Sequence, residues 1–364
     1  MSRLKYTELA KVYHPGCTLR EKLEEMQMSV KEFAVRTTKP EKTINAVLNG
    51  TSSLTPDMAI AFEAVTLIPA YLWMNLQREY DEFVARKKRE ELYCDKATIK
   101  WALSFPYEHM GRIGWVRQTT DIKDRIANLL AFFRITSVQA WENYYINQEL
   151  KVAFKLSLGK TKDPYAISAW LRKGDIDAEK DGVKKTFSAA ETKRIIPSIL
   201  ALVKDQPEDA VMTLRSICSA SGIKLIFTDS IPNAPIRGCA RWVNGVPCIQ
   251  MTDSPKKNDV FWFSFFHELG HILMHGKKEI FMDEHNSYDS LEKEQEADRF
   301  ASDILLNRTA EKELLAMQTF DAETVRNFAE QHNTHPGIVS GRLKYLNLIP
   351  EGIYNDTSIT VSTR

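Results

Sequence analysis

Two histidines four residues apart inside an apolar stretch constrain this chain more than any other feature. The stretch reads Phe261-Trp-Phe-Ser-Phe-Phe-His-Glu-Leu-Gly-His-Ile-Leu-Met-His275. Its periodicity predicts a helix over about 259–275, closed by Gly276, with Trp262, Phe265, Phe266, Leu269, Ile272 and Leu273 on a buried face. Residues four apart on a helix point the same way, so His267 and His271 leave a buried element side by side. Buried imidazoles need partners, and a single metal ion satisfies both. Glu268 completes the H-E-x-x-H pattern, in which the glutamate accepts a proton from water activated by zinc. The competing reading is a pair of hydrogen-bonded core histidines. Gly270 costs a helix interior about 1 kcal/mol relative to alanine, which predicts close packing against another element.

A catalytic zinc takes three protein ligands and keeps one position open. The third is sought in Glu294-Gln-Glu-Ala-Asp-Arg-Phe-Ala301, on a helix predicted over about 291–306. Glu294 and Asp298 share a face, so Glu294 can bind the ion while Asp298 accepts the other ring N–H of a ligand histidine. An exposed acidic helix start, favoured by the helix dipole, explains the same residues. Glu296 is the rival ligand. His275, one turn further along the helix, is within reach of the site but reads first as a cap of the helix C-terminus, and His285, Tyr288, His332 and His335 as polar residues available to a cleft.

The remainder divides into regions of different texture. Residues 18–85 read as short helices: a Ser29-Val-Lys-Glu32 capping box, helix starts at Pro40, Thr55-Pro56 and Pro69, and a stop at Asn49-Gly50. Residues 91–190 read as helical and rich in aromatic side chains, with breaks at Phe105-Pro106, Gly159 and Gly174. From about 191 come helices at 195–203 and 210–221 and an alternating strand at 223–227. A hairpin follows at 238–251, turning at Asn244-Gly245, then the two helices above and two short ones in 321–346. An extended peptide substrate would lie against such a hairpin, and a hairpin serving structure alone explains the same pattern equally well.

Composition excludes little. With 49 basic and 48 acidic side chains among 364 residues, any nucleic-acid-binding surface has to be local. No stretch approaches the ~18–20 apolar residues that span a bilayer. Five scattered cysteines without a C-x-x-C pattern suit reduced thiols. A cytoplasmic protein with no membrane partner is the expectation.

The segment 261–275, the acidic run 294–301 and the tail Thr334-His-Pro-Gly-Ile-Val-Ser-Gly-Arg-Leu343 together resemble the ImmA/IrrE metallopeptidases over about residues 195–346. The resemblance implies a zincin-like fold holding Zn2+, with His267, His271 and Glu294 as ligands, Asp298 behind them and Glu268 as the catalytic base. The E-x-x-x-D pattern favours Glu294 over Glu296. It also implies regulatory proteolysis in the cytoplasm, with a DNA-binding repressor as the cleaved protein.

Residues about 12–86 are similar to HigA-type antitoxins with a Cro/repressor-like helix-turn-helix. The likeness rests on His14-Pro-Gly-Cys-Thr-Leu-Arg-Glu-Lys-Leu23, Pro40-Glu-Lys-Thr-Ile-Asn-Ala-Val-Leu-Asn-Gly50 and Ile68-Pro-Ala-Tyr-Leu-Trp-Met-Asn-Leu-Gln77. Val30 stands where that class usually has glutamine, and Thr38 where glycine is common. The resemblance implies operator DNA as a partner, met by Lys39, Lys42, Thr43 and Asn45 at the start of the second motif helix. It also implies dimerisation. Arg86 to Arg89 read as a solvated helix face. The expected fold class is multi-domain and mainly α with an α+β C-terminal domain. It comprises a helix-turn-helix bundle over 1–90, a helical connector over 91–190 and a zincin-like domain over 191–364. Two functions follow. One is a zinc metallo-endopeptidase fused to a DNA-binding domain and acting on a regulatory protein. The other is a HigA-like antitoxin or repressor whose zinc domain senses or docks a toxin-like partner without turnover.

Overall fold

A computed structural model describes residues 12–149, 163–183, 185–234, 236–253, 257–275, 287–351 and 353. The chain divides into two compact units, 1–99 and 100–364.

The first unit is a bundle of α1 (Pro15–Glu25), α2 (Val30–Thr37), α3 (Glu41–Leu48), α4 (Pro56–Thr66) and α5 (Ala70–Glu91). Local chemistry sets the boundaries. Ser29 caps α2 by accepting from the Glu32 N–H at 3.2 Å, and Thr55 caps α4 by accepting from the Met58 N–H. Pro40 is the cap of α3 and not its first helical residue, so the helix starts one position later than expected. Thr38 ends α2 in a left-handed conformation at φ 54°, which costs a residue with a Cβ roughly 1–2 kcal/mol. The core repays it. Leu19, Phe33, Ile44, Val47, Met58, Phe62 and Trp73 are buried together, with Phe62 edge-on to both Phe33 and Trp73 at 5.0 and 5.7 Å. Each such side chain contributes about 1.5–3 kcal/mol on leaving water.

Helix α6 (Lys96–Leu103) straddles the division, and the second unit continues with α7 (Tyr107–Arg112), α8 (Ile122–Phe133) and α9 (Val138–Trp141), which runs on as a π-helical stretch, Glu142–Glu149. With α10 (Pro164–Lys180) these enclose an aromatic core of Trp101, Phe105, Phe133, Trp141, Tyr145 and Tyr165. Trp141 and Tyr165 stack there at 4.9 Å. The break at Phe105-Pro106 falls between α6 and α7. The expected break at Gly174 is overturned, because Gly174 lies inside α10. Gly159 lies outside the described residues.

Next come α11 (Ala189–Asp205), α12 (Ala210–Ala220), β1 (Lys224–Thr228), β2 (Gly238–Val243) and β3 (Val246–Thr252). The sheet order is β1-β3-β2, with β3 parallel to β1 and antiparallel to β2. Asn244 and Gly245, both at positive φ, close the β2–β3 hairpin. Every residue of β1 is buried, which corrects the expected half-exposed alternation. The reason is that both faces of the sheet are covered. Leu225, Phe227, Ile249 and Met251 face the main core, which includes α13 (Asn258–Met274). On the other face lies α10, with Ala178 against Ile226, Val243 and Cys248. That face is partly polar: Gln250 donates to the Trp170 carbonyl at 2.8 Å, Arg241 to the Leu171 carbonyl at 2.9 Å, and Arg241 pairs with Asp175 at 2.8 Å.

The chain ends in α14 (Ser287–Leu305), α15 (Arg308–Ala316), α16 (Ala322–Gln331) and α17 (Pro336–Tyr345). Helix α15, capped by Asn307, was not expected from the sequence; Ala310 and Leu314 pack it on Val325, Phe328, Val339 and Leu343. No helix among the described residues is long and apolar enough to cross a membrane.

Candidate metal centre and helix-turn-helix face

Helix α13 is anchored by Phe261, Trp262, Phe265, Phe266, Leu269 and Ile272, all essentially without solvent contact. This apolar anchor turns the opposite face, bearing His267 and His271, toward α14. The close approach predicted from Gly270 is present. A Cβ there would come 3.0 Å from Phe300 Cδ1 and 3.4 Å from Ala297 Cα, so α14 lies directly on the glycine. That proximity lets Glu294 reach both histidines. Its Oε2 is 3.2 Å from His267 Nε2, its Oε1 is 3.1 Å from His271 Nε2, and the two Nε2 atoms are 3.0 Å apart. One ligand-type atom from each of the three residues lies within 4.8 Å of the others.

Three acceptor atoms converging in this way require positive charge between them. Without a metal a proton supplies it. Burial opposes charge on His267, but hydrogen bonds to Asp298 and Glu294 outweigh it and push its pKa up to about 10. Burial also opposes charge on Glu294, and hydrogen bonds from His267 and His271 hold its pKa down to about 2. Two imidazole nitrogens and a carboxylate are a donor set that zinc accepts.

Behind the cluster, Asp298 Oδ1 accepts from His267 Nδ1 at 2.8 Å. His275 caps α13, its N–H bonded to the His271 carbonyl. Its side chain spans from His271 Nδ1, 3.0 Å away, to Glu296, 3.1 Å from its Nε2. Glu296 thus meets His275 and not the three-atom cluster. Glu268 is buried against β2. A Cβ on Gly238 would lie 2.9 Å from Glu268 Cγ and 3.0 Å from its Oε1. Burial pushes the Glu268 pKa up; the neighbouring His271 and His267 oppose the shift, and so does a backbone hydrogen bond from Ala240. A cavity of about 280 Å³ opens between α13, α14 and α17, its wall shared between apolar Val260, Phe263 and Ile338 and charged Arg237, Asp259 and Asp298.

In the first unit, Ile44 and Val47 anchor α3 inward while Lys42 and Asn45 are exposed and Thr43 is half-buried. Lys39 forms an ion pair with Asp57.

The family model for the IrrE N-terminal-like domain matches residues 218–344. An uncharacterised HTH-type transcriptional regulator of Escherichia coli K12, YddM, is 34% identical over 73 residues, which span 20% of this chain and 78% of that protein. The chain therefore joins an HTH-type regulator region at its N-terminus to an IrrE N-terminal-like domain. Among solved structures, a HigA-family addiction module antidote protein from Coxiella burnetii is 34% identical. It aligns with 22% of this chain and 87% of its own, at a TM-score of 0.21. The Pseudomonas aeruginosa antitoxin HigA, solved with the higBA promoter, is 29% identical over 24% of this chain and 95% of its own, at a TM-score of 0.22.

Within the IrrE N-terminal-like domain the other polar residues singled out from the sequence do not join the cluster. His332 pairs with Glu313 at 3.0 Å. His335 caps α17 and meets Asn258, at the start of α13, at 3.2 Å. His285 and the Tyr288 side chain lie outside the described residues. Two participants escaped sequence reasoning: Gly238, whose missing side chain makes room for Glu268, and the bridge from His275 to Glu296. No spacing rule signals either, because each joins two separate elements.

Proposed function

We propose that the chain is a zinc-dependent endopeptidase of zincin type joined to a DNA-binding helix-turn-helix, and that it regulates transcription by cutting a regulatory protein such as a repressor. The convergence of His267, His271 and Glu294, with buried Glu268 one residue from the first histidine, carries this reading. His267, His271 and Glu294 would hold the ion, with Asp298 orienting the His267 ring. Zinc bound there supplies Lewis acidity toward a peptide carbonyl and makes water nucleophilic near neutral pH. Glu268 takes the proton from the attacking water and returns it to the departing amine. Among the described residues β2 is an edge strand, and a substrate laid along it would run past Glu268.

The test compares newly formed protein N-termini in cells carrying the wild type or Glu268→Gln. A terminus present only with the wild type supports the peptidase and names its substrate. No difference, with zinc bound to both proteins, counts against turnover. A second reading, a HigA-like repressor whose zinc domain docks or senses a partner, is favoured by the similarity of the N-terminal region to HTH-type regulators. In both readings the exposed start of α3, with Lys42 and Asn45, faces operator DNA.

A further inference from the structure

Resting on the metal-centre reading, we propose that His275 and Glu296 are positioning residues that fix the tautomer of His271. The two candidate ligands direct their Nε2 atoms at each other and at Glu294, so each Nδ1 has to be satisfied elsewhere. His267 has a carboxylate for this, Asp298, at 2.8 Å. His271 instead has its Nδ1 3.0 Å from His275 Nδ1. Two ring nitrogens that close hold one proton between them. A carboxylate decides which ring keeps it, because Glu296 Oε2 lies 3.1 Å from His275 Nε2 and takes the role of acceptor there. His275 therefore carries its proton on Nε2 and accepts on Nδ1, and the proton between the rings belongs to His271. That leaves the His271 Nε2 lone pair directed at the cluster. The opposite arrangement turns a His275 lone pair toward the Glu296 carboxylate and a His271 proton toward His267. His275 is 6% exposed, so water cannot easily replace it.

The arrangement assigns a role to two acids of α14 that flank the cluster, Glu296 and Asp298. Asp298 orients His267 directly, and Glu296 orients His271 through one intervening ring. It also accounts for Glu296 standing two residues from Glu294 without touching the cluster.

Zinc affinity of the full chain, measured by competition with a chromophoric chelator, tests the relay. Partners behind metal ligands typically contribute 10- to 100-fold in affinity. His275→Ala should weaken binding by about that factor. Glu296→Ala should weaken it less, because the His275 ring still accepts. The double variant should be no weaker than His275→Ala alone. His275→Gln, whose amide oxygen can accept from Nδ1–H, should recover much of the loss. Thermal midpoints of the metal-free variants separate this from a merely structural role, which would lower those midpoints and leave affinity unchanged. Wild-type protein that binds no zinc overturns the metal centre and the relay with it. Wild type that binds zinc, with His275→Ala within about twofold of it, overturns the relay alone, against the expected range. A Glu296→Ala effect that adds in full to His275→Ala makes Glu296 act independently, and also overturns it. Should His275→Ala not fold, Glu296→Ala decides: unchanged affinity refutes the relay.

Discussion

Gly174→Ala would ordinarily stabilise a helix. Here it is expected to destabilise the second unit. Alanine in a helix interior gains about 1 kcal/mol over glycine. At Gly174, however, the new Cβ would lie 2.0 Å from Gln250 Oε1 and 2.1 Å from its Cδ, so the fully buried glutamine must move. Its Nε2 donates to the Trp170 carbonyl and to Thr228 Oγ1, at 2.8 and 2.9 Å. Losing two buried hydrogen bonds costs about 1 kcal/mol each. Forcing a methyl into a packed site costs about 1–3 kcal/mol. Set against the helix gain, the net is a loss of about 2–4 kcal/mol. Urea denaturation followed by tryptophan fluorescence reports on it, since Trp73 alone of the seven tryptophans lies in the first unit. Gln250→Ala removes the atoms the methyl would meet, so the double variant should be less damaged than the sum of the single ones. An unchanged or raised midpoint for Gly174→Ala would refute the packing of α10 on the sheet.

Gly238→Ala should displace the Glu268 carboxylate and lower peptide cleavage by about 10²-fold or more, the scale of a lost general base, with zinc affinity kept; undiminished cleavage would contradict the role of Glu268. The metal-free protein should lose stability as pH rises. The raised pKa of His267 makes its contribution complete below 6.5 and lost on the way to about 10. The lowered pKa of Glu294 makes its contribution complete above 4.5 and lost toward about 2. Thermal midpoints of chelator-stripped protein should therefore fall on both sides of pH 4.5–6.5, and a rise between pH 7 and 9 would be inconsistent with the cluster. On operator DNA, Lys42→Ala should lower the salt-dependence slope by about 1, and Asn45→Ala should cost about 1–3 kcal/mol and relax sequence preference. Lys39, paired with Asp57, should matter less than Lys42. Titrations at several salt concentrations separate the three.

Much of the helical framework was legible because its signals are local. Ser29 with Glu32, Thr55 with Pro56, and Asn244-Gly245 each act within four residues of themselves. Other helix starts carry the same local signal, among them Asp121 at α8, Asp163 at α10, Ser188, which caps α11 through the Glu191 N–H, and Asn307, which caps α15. The sheet was less legible. Lys224, Arg241 and Gln250 suggest a solvated face, yet α10 covers it and takes hydrogen bonds from all three. Gly174 reads as a break for the same reason, since its lack of a side chain makes room for Gln250 and does not end the helix.

The sequence by itself determined that His267 and His271 share one face of α13, because a four-residue spacing on a helix puts them together whatever surrounds them. It likewise placed Glu294 and Asp298 on one face of α14. It left open whether those two faces meet, which glutamate enters the cluster, and what His275 does. The tertiary structure decided these by bringing α14 onto Gly270, so that Glu294 reaches both imidazoles and Glu296 reaches only His275. Helical periodicity is a property of neighbouring residues and can be read along the chain. The approach of two helices depends on side-chain volumes contributed by segments far apart in sequence, and only the packed core settles that distance.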